Sequence, residues 1–208
     1  MTQRGTPVTT QAELEQILGV AQGPAATKVR HELHEVDREW LAGASLGFIA
    51  TSDAQGNLDV SPKGDPAGFV SVLDEKTIAV PERPGNRRAD GFHNILQNDH
   101  VGLIFLIPGR GDTLRINGRG TIVRDAPFFE EMVVKGHRPP LALVVDIDEV
   151  FYHCSKAFLR SKAWESDAWQ PAAVPRRAVI AQSVERPDES LETLDEYYGP
   201  SYAAKIYG

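Results

Sequence analysis

From Gly43 to Val150 the chain is a succession of short β-type runs separated by turn residues, and that texture limits the fold more than any other feature. Residues 45–52 are followed by the turn Asp53-Ala54-Gln55-Gly56-Asn57, then by runs at 58–61, 69–73 and 77–80. Residues 101–107 are continuously apolar, and 141–150 read as the last strand. Between them, 114–123 put Leu114, Ile116 and Ile122 on one face and Arg115, Asn117, Arg119 and Thr121 on the other. Connections this short join antiparallel neighbours, whereas a doubly wound parallel sheet needs a helix after nearly every strand. The expectation is a mainly β, α+β chain built as a small barrel with flanking helices.

The helices announce themselves by spacing and caps. Thr10-Gln11-Ala12-Glu13 reads as a capping box before a short helix that stops near Gly19. Over 28–42, Val29, Leu33, Val36, Trp40 and Leu41 share one helical face, which predicts a surface helix lying on the sheet. Residues 81–88 hold two prolines and a glycine and read as a loop. A short helix follows, with Phe92, Ile95 and Leu96 on one face and Asn98-Asp99 at its end. Asp125 is placed to cap a helix over 126–135 that Gly136 terminates. The organisation expected is an N-terminal extension over 1–27, one domain over 28–165 and a tail over 166–208. That tail carries Trp169, Tyr197, Tyr198, Tyr202 and Tyr207, an aromatic density that implies docking on the body or on a second subunit.

Composition removes several classes of function. With 208 residues and 41% hydrophobic content, the chain is too short for two ordinary domains and too apolar to stay unfolded. The 22 basic and 29 acidic residues leave a net charge of −7, which argues against nucleic acid as a partner because gripping a phosphate backbone needs a dense positive surface. The longest apolar runs, 101–108 and 141–147, are far shorter than the roughly 18 residues that cross a bilayer, and residues 1–14 lack the apolar core of a signal peptide. No membrane contact is expected, and the chain reads as cytoplasmic. Cys154 is the only cysteine, so no intrachain disulfide and no cysteine-built metal site forms; its place after an apolar strand suggests a buried structural thiol. The six histidines lack zinc-site spacing, Ser61 lacks a nucleophile elbow, and neither a phosphate-binding triphosphatase loop nor a dinucleotide glycine fingerprint occurs.

Three constellations carry chemistry. Ser61-Pro62-Lys63-Gly64-Asp65 sits where a strand runs into a loop, so a hydroxyl, an ammonium and backbone N–H groups converge on one anion; the same residues also fit a polar turn with a solvated lysine. In the stretch 81–90, Arg83, Arg87 and Arg88 crowd together beside Asn86 ahead of a helix. That pattern suits a phosphate, and it equally suits a loop whose arginines pair with Glu82 and Asp90. Arg115, Asn117 and Arg119 either project from one strand face into a polar cleft, or Asn117-Gly118 is a hairpin turn that separates the two arginines.

Taken in order, the segments Ser-Pro-Lys-Gly-Asp at 61–65, Arg-Pro-Gly-Asn-Arg-Arg-Ala-Asp at 83–90 with Asn94-Ile95-Leu96, Leu-Arg-Ile-Asn-Gly-Arg at 114–119 and His-Cys-Ser-Lys-Ala at 153–157 with Arg160 and Trp164 resemble a known pattern. It is that of the pyridoxamine 5′-phosphate oxidase-like family of FMN-binding split-barrel flavoproteins, in its uncharacterised flavin-nucleotide-binding branch, over about 28–164. The resemblance implies a split β-barrel homodimer with FMN in clefts at the subunit interface, acting on a small-molecule substrate or electron donor. It implies further that Ser61, Lys63 and Asp65 border the flavin ring, that Arg87, Arg88 and Asn94 lie near the ribityl phosphate with Arg83 and Asn86 also binding the cofactor, that Arg115 and Asn117 approach from the following strand, and that Lys156, Arg160 and Trp164 close the cleft. The chain departs from the branch at Ser155, where proline is usual, and lacks the substrate-phosphate residues of true pyridoxamine phosphate oxidases. Three functions fit: an FMN-dependent oxidoreductase, a non-catalytic FMN store or sensor, and a split barrel that binds deazaflavin or haem.

Overall fold

The computed structural model describes residues 5–207. Helix α1, Gln11–Leu18, begins at Thr10, whose hydroxyl accepts from the Glu13 N–H, and ends at Gly19 with φ +79°. The Glu13 carboxylate reaches back one residue further than a capping box would, accepting from the Thr9 N–H at 3.2 Å. No residue of α1 is buried. A single turn, α2, Pro24–Thr27, follows.

The helix expected over 28–42 forms only in its second half, as α3, Glu35–Gly43. Residues before it are extended instead: the Arg30 N–H donates to the Val150 carbonyl at 3.0 Å, the Val150 N–H returns to Arg30 at 2.8 Å, and the Leu33 N–H donates to Glu75 at 2.7 Å. The Asp37 carboxylate starts the helix by accepting from the His34 N–H at 2.8 Å and holds the arm by pairing with the Arg30 guanidinium. Leu33, Trp40 and Leu41 are buried as the apolar spacing demanded, but Val29 is exposed because it precedes the helix, and Val36, although in the first turn of α3, is 57% exposed.

Seven strands make one antiparallel sheet: β1 Leu46–Ser52, β2 Leu58–Gly64, β3 Ser71–Val72, β4 Thr77–Pro81, β5 His100–Leu106, β6 Thr113–Val123 and β7 Ala142–His153, in the order β2-β1-β5-β6-β7-β4-β3. Alternation along β6 buries Leu114 and Ile116 and turns Arg115 and Asn117 the other way. Asn117-Gly118 is not a hairpin turn. β6 runs through it, Asn117 pairs with Glu149, Gly118 pairs with Ile147, and Asp148 is left out as a bulge. Only glycine fits there, since a Cβ on Gly118 would stand 2.1 Å from the Asp146 carbonyl oxygen. Pro62 lies within β2 because that strand is at the sheet edge, where a missing N–H breaks no ladder.

The sheet curls around one core, with Leu103, Phe105, Ile116, Ile78, Val80, Leu143 and Val145 facing Trp40 and Leu41 of α3 and Ile95 of α4, Asp90–Ile95. Each such side chain contributes roughly 1.5–3 kcal/mol of burial. Leu96, expected on the buried face of α4, is exposed, because the helix ends one residue earlier. The helix expected over 126–135 is a 3₁₀ turn, Pro127–Glu130. Asp125 has φ +57° and cannot take the extended conformation of an N-cap, and Phe129 turns into a small cluster with Met132, Ala142 and Ala79. After β7 come α5, Lys156–Ser161, then α6, Arg177–Val184, α7, Leu191–Tyr197, and α8, Pro200–Ala203. Ala178, Ala181 and Leu194 form a core of the tail's own. Among the described residues no helix is long and apolar enough to cross a membrane.

Candidate functional site

Strand alternation turns Asp59, Ser61 and Lys63 to one side of β2 and Val60 and Pro62 to the other. The first set faces a cleft of about 390 Å³ between β1, β2, α4 and the loop 82–89. Ile49, Phe92, Ile95 and Leu143 supply its apolar wall, and Thr51, Glu82, Asn86, Arg88 and the backbone of 89–91 supply polar groups. That size lies within the roughly 300–1,000 Å³ of small-molecule sites.

Contrary to the loop expected at Ser61-Pro62-Lys63-Gly64, these residues are strand, which holds Ser61 and Lys63 at a fixed register. The Ser61 hydroxyl donates to Asp59 at 2.7 Å. The Lys63 ammonium pairs with Glu82 and stands 5.5 Å from the Phe92 ring centroid. Asn94 does not line the cleft; its amide donates to the Thr51 hydroxyl at 3.1 Å and ties α4 to β1. Gly91 makes the same contact close: a Cβ there would meet the Asp59 carboxylate at 3.2 Å and the Thr51 hydroxyl at 3.5 Å.

The arginine loop is part site and part ion-paired loop. The Arg88 N–H donates to the Asn86 side chain at 3.0 Å, and its guanidinium donates to Asp90 at 2.7 Å while remaining 72% exposed. Arg87 and Ala89, on either side of it, have φ +63° and +53°. Left-handed conformations in non-glycine residues are costly and cluster where a ligand is held. Arg87 lies on the other side of the loop and does not line this cleft. Arg83 is internal: it pairs with Asp65, whose side chain is 2% exposed, and donates to the carbonyls of Met132 at 2.7 Å and His137 at 3.3 Å. Asp65 therefore anchors the loop and does not border the cleft.

The remaining candidates lie elsewhere on this chain. Arg115 stacks 5.1 Å from the Phe151 ring and lines a separate hollow of about 380 Å³ with Phe48, Ile104, His153, Cys154 and Phe158. The Asn117 amide donates to Glu149 at 2.8 Å in a third hollow. Lys156 and Arg160 are exposed on α5, and the Trp164 indole donates to the Arg110 carbonyl at 2.6 Å while stacking on Phe158. Cys154 is exposed and not the buried thiol expected, because β7 makes its last pair at His153 and the chain then leaves the sheet. Sequence reasoning missed Thr51, Asp59, Glu82 and Phe92. Asp59 was legible, since it precedes Ser61 and Lys63 at the same two-residue interval.

No curated protein matches this chain. Among solved structures, it is similar to HupZ of Group A Streptococcus, at 19% identity over 58% of this chain and 94% of the other, with a TM-score of 0.46. It is similar also to an FMN-binding protein of Syntrophomonas wolfei, at 13% identity over 57% and 89% with a TM-score of 0.43. A FAD-binding protein of Mesorhizobium loti gives 15% identity over 60% and 96%, with a TM-score of 0.39. The family model for pyridoxamine 5′-phosphate oxidase matches residues 33–154, a stretch that takes in all seven strands, α4 and the whole cleft. By that match over more than half of its length, this curled, helix-flanked sheet is a split barrel and the chain belongs to the pyridoxamine 5′-phosphate oxidase family.

Proposed function

We propose that the protein is an FMN-binding oxidoreductase whose flavin lies in the cleft between β2, α4 and loop 82–89, with a homodimer completing the site. The observation that carries this reading is the donor set of that cleft. An apolar wall built on Phe92 and Ile95 adjoins a cation, Lys63, and a loop that presents Arg88 and Asn86. A flat ring with polar edges needs the first, and a phosphate dianion needs the last. Lys63 and Ser61 would orient the ring, and Arg88 would hold the phosphate by exchanging its Asp90 partner for the ligand. When bound, the flavin supplies hydride transfer; the protein supplies position, charge and exclusion of water. The Ser61 hydroxyl is hydrogen-bonded to the Asp59 carboxylate in this cleft, and the reading gives that pair the task of orienting the ring, not of nucleophilic attack.

A dimer is supported by the outer face of the sheet edge, where Leu58 and Val60 are 80% and 62% exposed. These border the hollows that hold Asn117 and Arg115. A second copy seated there would cover this apolar surface and bring the partner's groups towards the residues that one chain leaves apart.

The test is ligand titration of Arg88→Ala against wild type. FMN affinity should fall about tenfold, the effect of one exposed charge-assisted contact, while riboflavin affinity stays within about twofold. Equal losses for the two ligands remove the phosphate from the loop, and a colourless protein that binds neither removes the flavin.

A further inference from the structure

Loop 82–89 has a second side. Against it lie α7 and α8, and between loop and tail is a cavity of about 680 Å³ whose lining includes Asn86, Arg87, Tyr197, Ser201, Tyr202 and Lys205. Gly85 and Asn86 line both this cavity and the cleft. The tail is fastened in place beyond the cavity: the Tyr207 hydroxyl donates to Asp65 at 2.6 Å, its ring stacks on His137 at 5.9 Å, and Arg83 and Lys135 lie 5.7 and 5.5 Å from its centroid. On the other flank, α6 and α7 share the core of Ala178, Ala181 and Leu194, against which Tyr198 packs.

Charge and shape in this cavity are specific. Arg88, Arg176, Arg177 and Arg186 all pair with carboxylates, yet Arg87 and Lys205, the two cations of the cavity, have no ion partner among the described residues. One carboxylate, Glu196, lines the same space and likewise has no ion partner among the described residues, so the two cations leave the cavity a net positive charge that suits an anion. Arg87 is moreover held at φ +63°, a conformation that an ordinary exposed loop residue would avoid. Beside the cations, Tyr197 and Tyr202 are 51% and 52% exposed; their rings are tilted 58° to each other and the Arg186 guanidinium lies 4.6 Å from the Tyr197 centroid, so Tyr202 is the ring with the more open surface at the cavity. Ser201 and Glu196 add a hydroxyl and a carboxylate.

We propose that this cavity binds a nucleoside phosphate, with the phosphate between Arg87 and Lys205, the base on the Tyr202 ring and the ribose hydroxyls towards Ser201 and Glu196. Stacking of a base on an aromatic side chain and pairing of a phosphate with two cations are each strong enough to be read by substitution. The site stands apart from the flavin reading, since none of its charged or aromatic groups lines the cleft. Because Asn86 also accepts from the Arg88 N–H, the occupant would touch the loop that forms the cleft's polar wall.

The experiment is calorimetric titration of the full chain with ADP, adenosine and inorganic phosphate, in wild type, Arg87→Asn, Lys205→Ala and Tyr202→Leu. Asparagine is chosen because it tolerates the left-handed backbone. ADP should bind saturably and at least tenfold more weakly to Arg87→Asn and Lys205→Ala, with adenosine binding unchanged in both. Tyr202→Leu should weaken ADP and adenosine together and leave phosphate binding unchanged. Absence of ADP binding to wild type, or wild-type ADP affinity in both cation variants with unchanged circular dichroism, overturns the proposal. The same pattern in protein that binds no FMN would overturn the flavin reading and leave this one standing.

Discussion

The hydroxyl of Tyr207 donates a 2.6 Å hydrogen bond to Oδ1 of Asp65, 142 residues earlier, while Oδ2 of the same carboxylate takes the guanidinium of Arg83. One enclosed carboxylate thus joins the end of β2, the start of the arginine loop and the tail. The bond to Asp65, then burial, holds the Tyr207 phenol above its ordinary pKa. The folded chain keeps that proton longer than the unfolded chain. The contribution to stability is therefore complete below about pH 10 and is lost as pH rises through the folded pKa.

Tyr207→Phe should loosen the tail without unfolding the barrel, because Arg83 remains to neutralise Asp65. Limited trypsin digestion should cut after Arg177 and Lys205 faster in the variant, and the wild type should approach the variant's rate above about pH 10. Identical digestion of the two proteins at neutral pH would show that the bond does not hold the tail.

Asp37 has no exposed surface and binds Arg30 and the His34 N–H. Burial alone would raise its pKa, but the hydrogen bonds from Arg30 and His34 outweigh burial and hold it below the ordinary value. Its contribution is therefore present above about pH 4 and is lost as pH falls through the folded pKa. Asp37→Asn should cost about 3 kcal/mol, the low end for a broken buried pair because the Arg30 side chain keeps 25% of its surface in water. Urea denaturation should show that loss at neutral pH and a smaller one in acid.

Gly118→Ala should prevent folding or cost at least the roughly 1–3 kcal/mol of an overpacked core, since its Cβ would stand 2.1 Å from a backbone oxygen that the sheet holds in place. Gly56→Ala is the contrast: nothing lies within 4 Å of its Cβ, and its φ of +84° limits the loss to about 1 kcal/mol of backbone strain. Thermal unfolding of the two variants distinguishes a steric block from a conformational preference.

Lys63 and Glu82 form a pair beside the proposed ring, so their charges act on a bound flavin with opposite sign. Lys63→Met should lower the midpoint potential and Glu82→Gln should raise it, each by tens of millivolts, given roughly 30 mV per 1.4 kcal/mol for a two-electron couple. Potentiometry of FMN-loaded variants that leaves both values unmoved would place the pair away from the ring.

The β architecture was legible because alternation is a local property: 114–123 already showed which residues of β6 face the core, and the structure buries Leu114 and Ile116. Spacing alone misled over 28–42 and 126–135. An extended arm that buries Leu33 satisfies the same apolar interval as a helix, and what selects it is the pairing of Arg30 with Val150, far off in sequence. In the candidate site, Ser61, Lys63, Asn86 and Arg88 face one cleft, as their neighbourhood in two short motifs suggested.

The class of fold, the run of strands and the two polar segments around 61–65 and 83–90 follow from side-chain period and turn chemistry within a few residues, and the chain's letters carry them without further information. The folded chain is what sets Arg83 against Asp65, turns Arg87 and Arg88 to different cavities, and leaves Arg115 and Asn117 apart from the cleft. The partner that a charged side chain finds depends on how the sheet curls and where the loop crosses it, and those follow from contacts across a hundred residues and more.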